Sequence, residues 1–138
     1  MTQRSEDTTP ANQNGVERTL TRHGGLSYLV ISAEDFAQSA TFYEHVLNWT
    51  VEWRGDDDAR FRDVTGHLIG RWVKGQATSR EPGLLPYFYV GGLDRAIQQV
   101  LEQRGEVVRT PYREGSLSVA TVRDPAGNLI GLWQDGPR

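Results

Sequence analysis

The sequence contains no cysteine and only three histidines, His23, His45 and His67. The first absence removes disulfides, thiolate metal sites and cysteine nucleophiles together. The scarcity of imidazole argues against a histidine-rich metal centre. No apolar run approaches the roughly 20 residues that span a bilayer, and the N-terminus lacks the apolar core of a secretory signal. No membrane partner is expected, and the composition reads as cytoplasmic. A large charge of one sign is also missing, because 15 basic residues face 18 acidic ones. Without a cationic footprint, nucleic-acid binding by phosphate neutralisation is not expected. No phosphate loop, dinucleotide fingerprint or Ser-His-Asp spacing occurs.

What is present suits one domain, or two half-sized modules sharing a core: 138 residues, 37% of them hydrophobic. Residues 1–20 are mostly polar and bury too little to offset the entropy of ordering them, so they read as a flexible leader. The folded domain is expected over residues 21–138. Within it the chain repeats itself. Asp63-Val64-Thr65-Gly66-His67-Leu68-Ile69-Gly70-Arg71-Trp72 matches Asp124-Pro125-Ala126-Gly127-Asn128-Leu129-Ile130-Gly131-Leu132-Trp133 at six of ten positions, 61 residues apart. A fainter match sets residues 28–33 against residues 85–90, at an offset of 57. Two similar offsets, at the start and end of a unit, indicate duplicated modules at about residues 25–75 and 83–135.

Each module reads in the same order. Residues 26–33 are uncharged and β-rich, a strand. Asp35 caps the helix that follows, and Phe36, Ala40, Tyr43 and Leu47 recur at helical spacing as its buried stripe. Asn48 stands where a left-handed residue ends a helix. Strands are expected at 50–53, 60–64 and 67–73. In the second module they are expected at 84–90, 106–109, 117–122 and 128–133. There Leu93, Ala96, Ile97, Val100 and Leu101 make the helical stripe, and Gly105 ends it. Asp124-Pro125-Ala126-Gly127-Asn128 is a turn in which proline fixes φ and glycine accepts a positive one. The order is βαβββ twice, an α+β fold.

The helix Asp35-Phe36-Ala37-Gln38-Ser39-Ala40-Thr41-Phe42-Tyr43-Glu44-His45-Val46-Leu47-Asn48-Trp49 and the Asp124–Asn128 turn resemble the vicinal oxygen chelate superfamily. This is the glyoxalase/bleomycin-resistance/dioxygenase group, and the likeness covers roughly residues 25–134. The resemblance implies curved sheets around a central cleft with helices outside, and a homodimer. In metal-dependent members the ligands come from the first and last strands of each module, which here implies Tyr28, Gly70, Leu85 and Gly131. None of these is His, Asp, Glu or Gln. Divalent metals need nitrogen or oxygen donors at about 2.0–2.2 Å, so neither a metal site nor another cofactor is expected.

Strand alternation suggests what fills the cleft instead. Leu29, Ile31, Phe88 and Val90 are assigned to packing beneath the helices. Tyr28, Val30, Ser32, Leu85, Tyr87 and Tyr89 are assigned to the cleft, joined by Gly70, Trp72, Gly131 and Trp133. Such a wall suits an apolar or aromatic ligand oriented by a few hydroxyls; the alternative is a filled core, against which the hydroxyls on one face favour an open, partly wet cleft. The arginines Arg54, Arg60, Arg62 and Arg71 read as a solvated surface. The function expected is metal-independent binding of an aromatic or apolar metabolite or drug. A lyase, isomerase or dioxygenase with a non-standard metal site or metal-free acid–base catalysis is the alternative, and whether the chain is an enzyme stays open.

Overall fold

The computed structural model describes residues 17–138. Most of the expected leader therefore lies outside the described residues; its last part forms a single 3-10 turn, Arg18–Leu20. The first module comprises β1 (Tyr28–Ser32), α1 (Phe36–Leu47), β2 (Thr50–Gly55), β3 (Asp58–Arg62) and β4 (Ile69–Val73). The second comprises β5 (Tyr87–Tyr89), α2 (Leu93–Glu102), β6 (Glu106–Glu114), β7 (Leu117–Arg123) and β8 (Leu129–Asp135). Each module makes its own four-stranded sheet, ordered β1-β4-β3-β2 and β5-β8-β7-β6. The first and last strands of each module run parallel and the other neighbours antiparallel. This is the α+β, tandem βαβββ architecture.

Local chemistry explains the element ends. The Asp35 carboxylate accepts the Gln38 N–H at 3.0 Å and starts α1. Asn48 ends that helix at φ 59°, in the left-handed region. The second helix has Gly92 at its N-cap and no capping side chain. Its Leu93 N–H is taken instead by the Gln134 amide oxygen of β8, at 2.6 Å. At its far end the left-handed residue is Arg104 (φ 69°) rather than Gly105. Gly105 is needed for a different reason: a Cβ there would sit 2.7 Å from both the Arg123 carbonyl oxygen and the Phe42 ring.

One hydrophobic core joins the modules. Tyr43 and Trp49 stack at 4.6 Å, Trp49 and Phe61 at 4.5 Å, and Phe88 of the second module meets Trp49 edge-on at 5.7 Å. A buried polar clasp crosses the same boundary. The Tyr43 hydroxyl donates to Asp124 Oδ2 at 2.8 Å, and Asn128 Nδ2 donates to the Ser32 carbonyl at 2.8 Å.

The sequence repeat and the spatial repeat differ by one residue. In the first module the Asp63 N–H donates to the carbonyl of Leu68; in the second, the Asp124 N–H donates to that of Asn128. The first turn is thus one residue longer, and a one-residue slip moves every following side chain to the opposite face of a strand. Gly70 pairs with Leu29 and Trp72 with Ile31, whereas Gly131 pairs with Tyr87 and Trp133 with Tyr89. The spatial counterpart of Gly131 is therefore Arg71, not Gly70.

Candidate functional site

Two surfaces follow from this register. The helix faces of the sheets carry Leu29, Ile31 and Trp72 in the first module and Phe88, Ile130 and Leu132 in the second. The open faces carry Tyr28, Val30, Ile69 and Arg71 on one sheet and Tyr87, Tyr89, Gly131 and Trp133 on the other. The cleft wall expected from alternation is thus divided. Gly70 and Trp72 are corrected to the helix face. Trp72 is 2% exposed, between Tyr43 and Phe61 in the core. A Cβ on Gly70 would meet the Leu29 carbonyl oxygen and the Phe61 ring, so the glycine serves close packing and not ligand entry.

On the second sheet the expected residues do come together. Tyr89 and Trp133 meet edge-on at 4.9 Å, and the Tyr87 ring lies directly over Gly131, whose missing side chain makes room for it. Tyr87 and Tyr89 nevertheless remain about half exposed. Partial burial, reinforced by Tyr112 and Glu114 nearby, raises the Tyr87 hydroxyl above its usual pKa.

A large apolar hollow lies elsewhere, at the seam between the modules. It encloses about 510 Å³ and is bordered by β1, the 76–86 connection, β5 and the start of β8. Val30, Ser32 and Leu85 border it as expected. Tyr28, Tyr87, Tyr89, Gly131, Trp72 and Trp133 do not. Its apolar walls are Leu29, Ile31, Phe88 and Ile130, with Tyr43 below and Ala77 at the rim. Sequence alternation assigned Leu29, Ile31 and Phe88 to packing beneath helices. That assignment holds, since Ile31 is buried and Leu29 and Phe88 pack against the core, but the same residues also border the hollow. The only signal in the sequence was the unusual apolarity of Leu84 and Leu85 directly before β5.

The Ser32 hydroxyl and the Asn128 side chain at this hollow already have partners. Ser32 Oγ donates to the Gln76 carbonyl, and Asn128 Oδ1 accepts the Ser79 N–H at 2.8 Å. Asp124, behind the floor, receives five hydrogen bonds: backbone N–H groups of Ala126, Gly127 and Asn128 on Oδ1, and Tyr43 and Asn128 Nδ2 on Oδ2. Burial raises its carboxyl above the usual range although these bonds pull the other way. Burial, with the Asp124 carboxyl beside it, pushes the Tyr43 hydroxyl well above its ordinary value. What the hollow offers a guest is apolar contact.

A metal does not fit the positions the fold would use. With the register corrected they are Tyr28, Arg71, Leu85 and Gly131, which supply one hydroxyl and a guanidinium. Among the described residues, no group of three or more His, Cys, Asp or Glu converges.

Solved structures share this architecture. A glyoxalase/bleomycin resistance protein/dioxygenase family enzyme from Burkholderia phytofirmans superimposes with a TM-score of 0.67 at 16% identity, covering 81% of this chain and 99% of its own. The fosfomycin resistance protein FosX from Mesorhizobium loti gives 0.65 at 15% identity, covering 80% and 92%. An integron cassette protein from V. cholerae gives 0.58 at 24% identity, covering 83% and 98%. These likenesses show the fold. No curated protein matches the sequence. The family model for the Glyoxalase/Bleomycin resistance protein/Dioxygenase superfamily matches residues 25–132, which take in both modules and the seam between them. The chain belongs to that superfamily.

Proposed function

We propose that this chain binds a small aromatic or apolar metabolite or drug, without a metal, in the hollow between its modules. The observation that carries this reading is a mainly apolar space of about 510 Å³ in which the Ser32 hydroxyl and the Asn128 side chain are already paired. That volume falls within the range of small-molecule sites, about 300–1,000 Å³. Affinity would come from burying apolar surface, at about 25 cal/mol per Å² before the costs of association.

The second reading, a lyase, isomerase or dioxygenase with a displaced metal or an acid–base residue, draws support from the Burkholderia neighbour, which is described as an enzyme. Against it, the carboxyl bonded to the hollow's Tyr43 and Asn128, that of Asp124, is 2% exposed and spends both oxygens on internal hydrogen bonds. A general base needs a reachable lone pair.

A homodimer in the cytoplasm completes the proposal. The half-exposed Tyr87 and Tyr89 on the open face of the second sheet are apolar surface that a second copy would cover. Light scattering of the purified chain should give twice the chain mass. For the ligand, the test is a thermal-shift screen over uncharged aromatic metabolites and antibiotics, repeated with Ala77→Trp. Ala77 is exposed at the rim, so a tryptophan there plugs the hollow without touching the core. Hits should raise the melting temperature of the wild type and lose that effect in the variant; hits indifferent to the plug would refute the site.

A further inference from the structure

The hollow between the modules has an apolar rim that the folded chain leaves in water. Leu26, just before β1, Val30 on β1 and Leu84, just before β5, all border it and are 65%, 44% and 90% exposed. A single exposed leucine is ordinary on a protein surface. Three aliphatic side chains around one apolar space are a patch, and exposed apolar patches at a groove mark where a partner or ligand lies. Leu26 comes from the first module and Leu84 from the second, so the rim belongs to both sides of the seam.

The backbone that carries Leu84 is held only at its ends. On one side the Arg80 carbonyl accepts Arg123 Nη1 at 2.9 Å; on the other the Pro86 carbonyl accepts the Gly131 N–H at 2.8 Å. Between these anchors residues 81–85 belong to no helix or strand and make no hydrogen bond to any described residue. Segments with so few bonds stand at the low end of local stability. Nothing lies within 4 Å of where a side chain on Gly83 would stand, so the segment has open space around it. Leu26 is placed differently, because the carbonyl of the adjacent Ser27 accepts the Ile69 N–H at 3.0 Å and ties it to the first sheet. One leucine of the rim is fixed and the other is free to move.

We propose that residues 81–85 form a strap that closes over a guest in this hollow, bringing Leu84 down onto it, and that Leu84 and Leu26 select guests whose outward edge is apolar. The proposal rests on the hollow being the binding space. Because Leu84 starts almost wholly in water, nearly all of its side-chain surface can be buried by closure. Full burial of a leucine side chain corresponds to about tenfold or more in an equilibrium constant, and ordering the strap takes back part of that gain. A guest with a charged group at the mouth would set that group against leucine without water, which is costly, and would hold the strap open.

The test is fluorescence titration of the whole chain with N-phenyl-1-naphthylamine and with 8-anilino-1-naphthalenesulfonate, the same dye carrying a sulfonate. Leu84→Ser and Leu26→Ser should each weaken the uncharged dye at least about fivefold and narrow its advantage over the sulfonate. Leu101→Ser, an equally exposed leucine on α2 outside the hollow, should leave both dyes unchanged. In the wild type, the uncharged dye should slow amide hydrogen exchange at Gly83, Leu84 and Leu85. The melting temperatures of the two rim variants should stay within about 3 °C of wild type, as for surface changes; a larger fall would make these leucines part of the packed fold and overturn the proposal. Tight dye binding by both rim variants, or unchanged exchange at 83–85, would overturn it while leaving the binding space intact, provided that Ala77→Trp still blocks the dye. A wild type that binds neither dye removes the binding space itself and the strap with it. Rim variants of lower mass by light scattering would assign the leucines to contact between copies, against the proposal.

Discussion

Replacing Tyr43 with phenylalanine removes one hydroxyl and little else. The ring keeps its stack on Trp49 at 4.6 Å and its edge contact with Phe42 at 5.0 Å. The lost group is the donor to Asp124 Oδ2 at 2.8 Å, in a place where Tyr43 is 1% exposed and Asp124 2%. Water cannot replace it without opening the seam. Hydrogen bonds to charged partners are worth about 1.5–3 kcal/mol, and the substitution should cost that much near neutral pH. For a domain of this size that is a fall of roughly 5–15 °C in melting temperature. The cost should also depend on pH in both directions. The Tyr43 hydroxyl favours the ionised form of Asp124, so removing it hurts most while Asp124 is charged. The penalty therefore shrinks as acid protonates that carboxyl. At the alkaline end, the folded Tyr43 pKa lies well above its ordinary value. Its stabilising contribution is complete below the unfolded tyrosine value of about 10 and is lost as pH rises beyond it. Phenylalanine has nothing to ionise, so the gap between variant and wild type closes there too. Urea unfolding from pH 4 to 10.5 measures the whole curve. A penalty below about 0.5 kcal/mol at pH 7, the level of an ordinary surface change, or one that does not vary with pH, would refute the clasp as described.

The register correction makes a contrast testable by thermal melts. Trp72→Ala should cost about 3–5 kcal/mol as a buried aromatic truncation, whereas Tyr89→Ala, at 57% exposure, should cost less than about 1 kcal/mol. Comparable losses would put both rings in the same environment and contradict the assignment. Gly131→Ala should destabilise by about 1–3 kcal/mol through overpacking, because the new Cβ falls 2.3 Å from the Tyr87 ring. Adding Tyr87→Ala should restore most of that loss. At Gly70 the obstacle is the Leu29 backbone carbonyl as well as the Phe61 ring, so truncating Phe61 should not rescue Gly70→Ala.

Much of this arrangement could be read from sequence because local chemistry specified it. The stripe Phe36, Ala40, Tyr43 and Leu47 is buried on α1, and Asp35 and Asn48 cap its ends as expected. Of the second stripe only Leu101 is exposed, at 57%. Strand limits were less legible where proline intervened. β6 continues through Pro111 to Glu114 because a register shift between Arg109 and Tyr112 accommodates it. β5 begins only after Pro86. The faces of β4 could not be read, because six identities in ten align Gly70 with Gly131 while the extra turn residue before Leu68 shifts the pairing. Sequence identity outweighed a backbone hydrogen bond that composition does not reveal. The seam was missed for a related reason: Leu29, Ile31 and Phe88 have the pattern of core residues and do belong to or pack against the core, and only the tertiary fold brings them to the border of a hollow as well.

The proposal that the modules enclose an apolar binding space is tested most directly with an uncharged dye, N-phenyl-1-naphthylamine, whose emission rises on leaving water. Titrated into the wild-type chain, it should show saturable fluorescence at one molecule per chain, and Ala77→Trp should abolish the rise while the protein stays folded. A wild type that leaves the dye dark, or a plugged variant that lights it equally well, would contradict the account.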